Sequence, residues 1–153
     1  MPELPRIVLD TNVVLDLLHF GDPNVAAIDT AIRSGRVQAV TSAACLEELQ
    51  RVLAYPEFGL DQTSRAALFV RYRQQCTLSD VPLAGPDAAI TGLPRCPDPD
   101  DQKFLELAWH CGAACLVSKD KALLRLSRRM ARIGGCAIVA PAVFDPDRLA
   151  PPA

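Results

Sequence analysis

The sequence predicts an α/β fold: a three-layer αβα sandwich around a mainly parallel central sheet. Three observations carry this. Arg6 to Leu9, Val37 to Val40, Ala113 to Val117 and Cys136 to Val139 are short β-prone apolar runs, as in strands buried on both faces. The segments between them carry apolar residues at helical spacing. Several of those segments open on capping residues, at Asp22-Pro23, Thr41-Ser42, Asp61 and Asp98-Pro99. Strands alternating with helices, joined by right-handed crossovers, place helices on both sides of the sheet.

In order along the chain, Arg6 to Leu9 ends at Asp10-Thr11-Asn12. Val13, Val14, Leu17 and Leu18 then mark a helix that stops at Gly21, with Asp16 and His19 off its apolar face. A second helix follows Asp22-Pro23, buries Val25, Ile28 and Ile32, and closes at Ser34-Gly35. After the second strand, Ser42 caps a helix from Ala43 to Ala54 whose core face is Leu46, Leu49 and Leu53. Glu48 borders that face, while Glu47 and Arg51 point away. A helix from about Gln62 to Cys76 carries Leu68 and Tyr72 on one side. Ser79 to Pro97 is rich in proline and glycine and reads as a long loop, of the kind that is often functional or mobile. The helix from Pro99 to about His110 buries Phe104, Leu105, Ala108 and Cys111. Beyond the third strand, Leu123, Leu124 and Leu126 mark a short helix. Arg125, Arg128, Arg129 and Arg132 recur at three- and four-residue steps as a basic helical face.

The 153 residues are half hydrophobic, which suits one domain over residues 1–153, with a core from about 6 to 144 and an irregular tail from 145 to 153. With 16 basic and 18 acidic residues, the balance does not indicate a strongly basic nucleic-acid binder, so a polyanion must meet a local patch. No secretory leader and no membrane-crossing run is evident, and the expected location is the cytoplasm. The six cysteines form no Cys-x-x-Cys pair and sit mostly in apolar segments. They read as reduced and structural rather than as zinc ligands.

The acids are less evenly spread. Asp98, Asp100 and Asp101 crowd three carboxylates into four positions at the start of a helix. Such crowding is costly unless a cation sits among them. Asp10 and Asp120 follow buried strands at their carboxyl ends, where ligands gather in α/β sheets. Asp101 lies on the core side of its helix and Glu48 on the border of another. Four segments thus supply Asp10, Glu48, Asp101 and Asp120 as candidate metal ligands. Each also has a structural reading. Asp98 suits an N-cap, Asp100 a solvated first-turn charge, and Asp10 and Asp120 caps of the helices that follow them. Their joint placement favours the site, and hard oxygen donors suit Mg²⁺ or Mn²⁺. Such an ion permits metal-assisted phosphodiester hydrolysis. No phosphate-cradling glycine loop is present, and Ser42 and Ser118 lack a histidine partner for a triad. The arginine face reads either as a solvated surface or as a contact for phosphate or an acidic partner.

Val8-Leu9-Asp10-Thr11-Asn12, Glu48-Leu49 with Val52-Leu53, Asp98-Pro99-Asp100-Asp101 with Lys103-Phe104-Leu105-Glu106-Leu107-Ala108, and Leu116-Val117-Ser118-Lys119-Asp120 with Leu123-Leu124 occur in this order. From about Arg6 to Phe144 the chain resembles the PIN (PilT N-terminus) domain, in particular the bacterial branch of toxins from toxin–antitoxin pairs. The resemblance implies a Mg²⁺- or Mn²⁺-dependent ribonuclease with Asp10, Glu48, Asp101 and Asp120 as its acidic residues. Asn12 matches the polar residue supporting the first aspartate, and Ser118 stands where threonine is frequent. Asp98 and Asp100 belong to this branch's variant of the third motif. The resemblance also implies a homodimer and an antitoxin protein as partner. The competing readings are a non-catalytic module binding RNA or protein through its arginine face, and a structure-specific DNA nuclease.

Overall fold

A computed structural model of the chain describes residues 3–80 and 92–149. Among them, five strands form one all-parallel sheet: β1 (Arg6–Leu9), β2 (Gln38–Thr41), β3 (Cys76–Leu78), β4 (Cys115–Val117) and β5 (Ala137–Val139), in the order β3-β2-β1-β4-β5. The helices are α1 (Thr11–Leu15), α2 (Ala26–Arg33), α3 (Ala43–Leu53), α4 (Gln62–Gln75), α5 (Gln102–His110), α6 (Lys121–Leu124) and α7 (Ser127–Arg132).

The central strands alternate their apolar side chains between two cores, and this is what makes three layers. Ile7, Leu9, Ala39, Cys115 and Val117 pack with residues of α1 to α4, including Val13, Ile28, Leu49, Leu53 and Tyr72. Val8, Val40, Leu116 and Ile138 pack on the other face with Phe104, Leu105, Leu123 and Met130 from α5 to α7. Central strands sealed on both sides need no polar alternation, so their sequences read as continuous apolar runs.

The expected caps hold their helices. Asp22 Oδ1 accepts the Asn24 N–H at 2.9 Å, Ser42 Oγ the Cys45 N–H at 3.3 Å, and Asp61 Oδ1 the Ser64 N–H at 2.7 Å. Gly21 ends its helix with φ at 57°, a left-handed conformation costly for other residues.

Four expectations are corrected. Cys76 does not end α4 but begins β3, a fifth strand pairing with β2 from the sheet edge. Thr77 and Leu78 are exposed, so an edge strand of three residues carries no apolar run to announce it. The helix after Asp10 turns wider from Asp16 to Phe20, as a π-turn. There Asp16 is buried rather than outward, with Lys119 Nζ 2.7 Å from its Oδ2. The basic face is split between α6 and α7, with Arg125 capping the first, although all four arginines lie at the surface. Of the long loop, residues 81–91 lie outside the described residues, and the part before α5 is packed. Leu93 and Cys96 are buried, and the Gln102 side chain accepts the Cys96 N–H at 2.7 Å and donates to the Pro94 carbonyl at 2.9 Å. That double clamp fixes the chain entering the acidic turn. In the tail, Pro146–Arg148 forms a 3₁₀ turn. The six cysteines are free thiols, and no helix among the described residues is long and apolar enough to cross a membrane.

Candidate active site

β1 and β4 are neighbours, with Leu9 level with Val117, so the residues that follow them leave the sheet side by side. The Asp10 N–H continues the ladder by donating to the Val117 carbonyl at 3.0 Å, and the Ser118 N–H donates to the Val139 carbonyl at 3.0 Å. Beyond that edge the two side chains meet: the Ser118 hydroxyl donates to Asp10 Oδ2. The same hydroxyl accepts the Asp120 N–H at 2.9 Å. Asp10 Oδ1 accepts the Val13 N–H at 2.9 Å, and Asp120 Oδ1 accepts the Ala122 N–H at 2.8 Å. Asp10 and Asp120 therefore do cap α1 and α6, and capping fixes their carboxylates at the sheet's carboxyl edge.

A cavity of about 230 Å³ opens at this crevice. Asp10, Glu48, Asp98, Asp101 and Asp120 line it, with Thr11, Asn12, Val52 and Phe104. The 3₁₀ turn Pro99–Asp101 separates the three crowded acids. Asp101 lines the cavity. Asp98 also lines it while its Oδ1 accepts the Asp100 N–H at 2.9 Å, so its capping role holds as well. Asp100 is exposed and does not line it. A larger hollow of about 280 Å³, between α3 and α4, is lined by Leu53, Ala66, Phe69 and Val70 with Gln50, Gln62 and Arg65. It is lined by no acid, and the carboxylate cavity is the candidate site.

Burial pushes the Asp10 carboxyl above its ordinary range, although the Ser118 hydroxyl, the Val13 N–H and Lys119 oppose the shift. Asp101 is pushed up to about 7, first by burial, then by its hydrogen bond with Asp120, then by the charges of Asp98, Asp120 and Asp10. Asp101 therefore holds its proton to higher pH than an ordinary carboxyl does. The consequence for stability has a definite sign. A carboxyl whose folded pKa is raised stabilises the fold below its unfolded value, and loses that contribution as pH rises through the folded one. The metal-free melting temperature should therefore decline as pH climbs towards and through about 7, and Asp101→Asn should flatten the decline. Melting curves of both proteins across that window check this, and identical slopes would contradict it.

Glu48 is held differently. Its Oε2 accepts the Thr11 hydroxyl, and its Oε1 accepts Lys103 Nζ at 2.8 Å. The same ammonium donates to the Asp100 carbonyl. With side chains only 20% and 12% exposed, Lys103 and Glu48 form a half-buried pair rather than a solvated one. Thr11 and Lys103 are the site residues that the reading of carboxylates alone passed over. Lys103 was visible as the cation that closely follows the crowded acids, and Thr11 as the hydroxyl between Asp10 and Asn12. Asn12 is exposed at the cavity, and the hydrogen bonds that hold Asp10 come from Ser118 and the main chain.

The donor set suits a hard divalent cation. Among the described residues no three acidic, histidine or cysteine side chains already converge as direct ligands of one ion. Mg²⁺ keeps several waters and needs only one or two carboxylates. Five carboxylates around one cavity, with Asp101 pushed up to about 7 by burial and by its acidic neighbours, are a charge imbalance that such an ion would relieve. Asp10, Asp101 and Asp120 would hold it, with Glu48 and Asp98 completing the acidic lining.

No curated protein matches the chain. A family model described as the PIN domain matches residues 6–122, which run from β1 to the start of α6 and include every carboxylate of the cavity. PIN domains are in general metal-dependent nucleases. By that match, over well more than half its length, the chain belongs to the PIN domain family.

Proposed function

We propose that this chain is a Mg²⁺- or Mn²⁺-dependent endoribonuclease that hydrolyses RNA phosphodiester bonds. The observation that carries the reading is the cavity at the carboxyl edge of β1 and β4, where four chain segments bring five carboxylates together. Asp10, Glu48, Asp101 and Asp120 are the proposed catalytic and metal-binding residues, with Asn12, Ser118 and Asp98 supporting them. A divalent ion bound there supplies an activated water and offsets charge on the leaving oxygen. The chain's own contribution is to hold the acids still. Ser118 and the Val13 N–H fix both oxygens of Asp10. The Pro94–Gln102–Cys96 clamp steadies the turn carrying Asp101. Asp101 would hold such an ion only in its deprotonated form.

An acidic cavity repels a polyanion, so substrate needs cations beside it. Lys121, Arg125, Arg128, Arg129 and Arg132 follow Asp120 closely and lie at the surface. We assign them phosphate contacts along the strand leaving the cavity. The protein works, on this proposal, in the cytoplasm as the toxin of a toxin–antitoxin pair, as a homodimer held in check by an antitoxin protein. That part is supported by the motif resemblance alone.

Purified protein incubated with single-stranded RNA and Mn²⁺ is expected to cut it internally, and EDTA to stop the cutting. In the same assay Arg128→Ser with Arg132→Ser should raise KM, leave kcat in place, and lower the salt slope by up to about two, one for each phosphate that no longer meets a guanidinium. RNA bound but left uncut with Mn²⁺ present would overturn the enzymatic reading. Cutting confined to flap DNA would overturn the choice of substrate.

A further inference from the structure

The cavity is not purely acidic. Lys103 Nζ sits on its Glu48 side, 2.8 Å from Oε1, and is tethered again to the Asp100 carbonyl on the turn that carries Asp101. The other oxygen of Glu48 is taken by the Thr11 hydroxyl. Among the described residues, Glu48 is thus the one carboxylate of the cavity whose charge a lysine of the chain already balances. Asp10, Asp101 and Asp120 have no such counter-ion within ion-pair distance among those residues. The charge divides into two halves, one neutralised from within and one left for a cation from solution.

We infer that Lys103 is the built-in second cation of this site: the pocket takes a single divalent ion, on the side of Asp10, Asp101 and Asp120, and Glu48 with Lys103 fills the place where a second ion would bind. The inference rests on the metal-binding reading given above and narrows it, taking Glu48 out of the ligands of the ion and giving it to Lys103. It makes Lys103 and Thr11 positioning residues, which hold Glu48 and the acidic turn at a fixed separation. Repulsion between an ammonium and a divalent ion at one carboxylate makes their joint occupancy unfavourable. With both partners largely shielded from water, that repulsion is little screened.

The test counts ions on the full chain without reference to catalysis. Titration calorimetry with Mn²⁺ is run at the same pH for every variant, and bound Mn²⁺ is counted independently by electron paramagnetic resonance. Wild type is expected to bind a single ion with no spin coupling. Lys103→Met, or Lys103→Gln if the first variant does not fold, is expected to gain a second ion, with the broadened spectrum of a coupled pair. Adding Glu48→Gln should return the count to a single ion, and Lys103→Arg should keep it there. Two ions in the wild type, or a single ion in every variant, would overturn the inference while leaving the metal site standing. No binding at all by the wild type would overturn both.

Discussion

Replacing Asp10 with asparagine is expected to abolish metal-dependent RNA cleavage and leave the metal-free fold intact or slightly more stable. Asparagine keeps an oxygen for the Val13 N–H, so the cap on α1 survives. It removes the negative charge that burial makes costly. Loss of partners that merely orient metal ligands costs about 10–100-fold, and loss of a ligand's charge should cost more. The drop in kcat/KM is therefore expected at about a hundredfold or beyond. The stability change has a pH signature. Wild type loses stability as pH climbs from the unfolded carboxyl's ordinary range through Asp10's raised folded pKa, so the variant's advantage should widen across that window and then level off. Paired thermal melts and cleavage rates check both halves. An Asp10→Asn protein with a wild-type cleavage rate, or one that fails to fold, would remove Asp10 from the role assigned to it.

The largest stability effect is expected for Phe104→Ala. Phe104 is 1% exposed, packs in the core beneath α5, and also lines the cavity. Removing a buried phenyl costs about 3–5 kcal/mol once the residual cavity is counted. A domain of this size holds about 5–15 kcal/mol in all, so the variant should melt roughly 10 °C lower or more. Its effect on catalysis should exceed the loss of folded protein, because α5 continues from the turn bearing Asp101. Denaturant melts give the first quantity and activity per folded molecule the second. A loss below about 1 kcal/mol would mean that the wall collapses without strain around the smaller side chain.

Much of this architecture was legible because buried parallel strands and capped helices leave local marks. Val8-Leu9 before Asp10 and Leu116-Val117 before Ser118 announce strands sealed on both faces. Ser42 and Asp61 announce helix starts for reasons confined to one turn. β3 was not legible, since Thr77 and Leu78 face solvent and the strand exists only through pairing with β2. Asp16 was misplaced because its partner Lys119 lies far along the chain, and periodicity carries no information about such a pair. The site shows the same division. Asp10, Asp101 and Asp120 could be nominated from their positions at strand and helix ends. What the reading passed over is that part of the balancing charge belongs to the chain itself: Lys103, just beyond Asp101, turns back to Glu48 on another helix. Spacing along α5 does not encode that reach.

The most direct measurement is anomalous diffraction at the manganese edge from crystals of the full chain soaked in Mn²⁺. A peak between Asp10, Asp101 and Asp120, at the carboxyl edge of β1 and β4, is the result expected here. A cavity without a peak while Mn²⁺ binds elsewhere on the surface, or those three carboxylates turned away from one another, would contradict it.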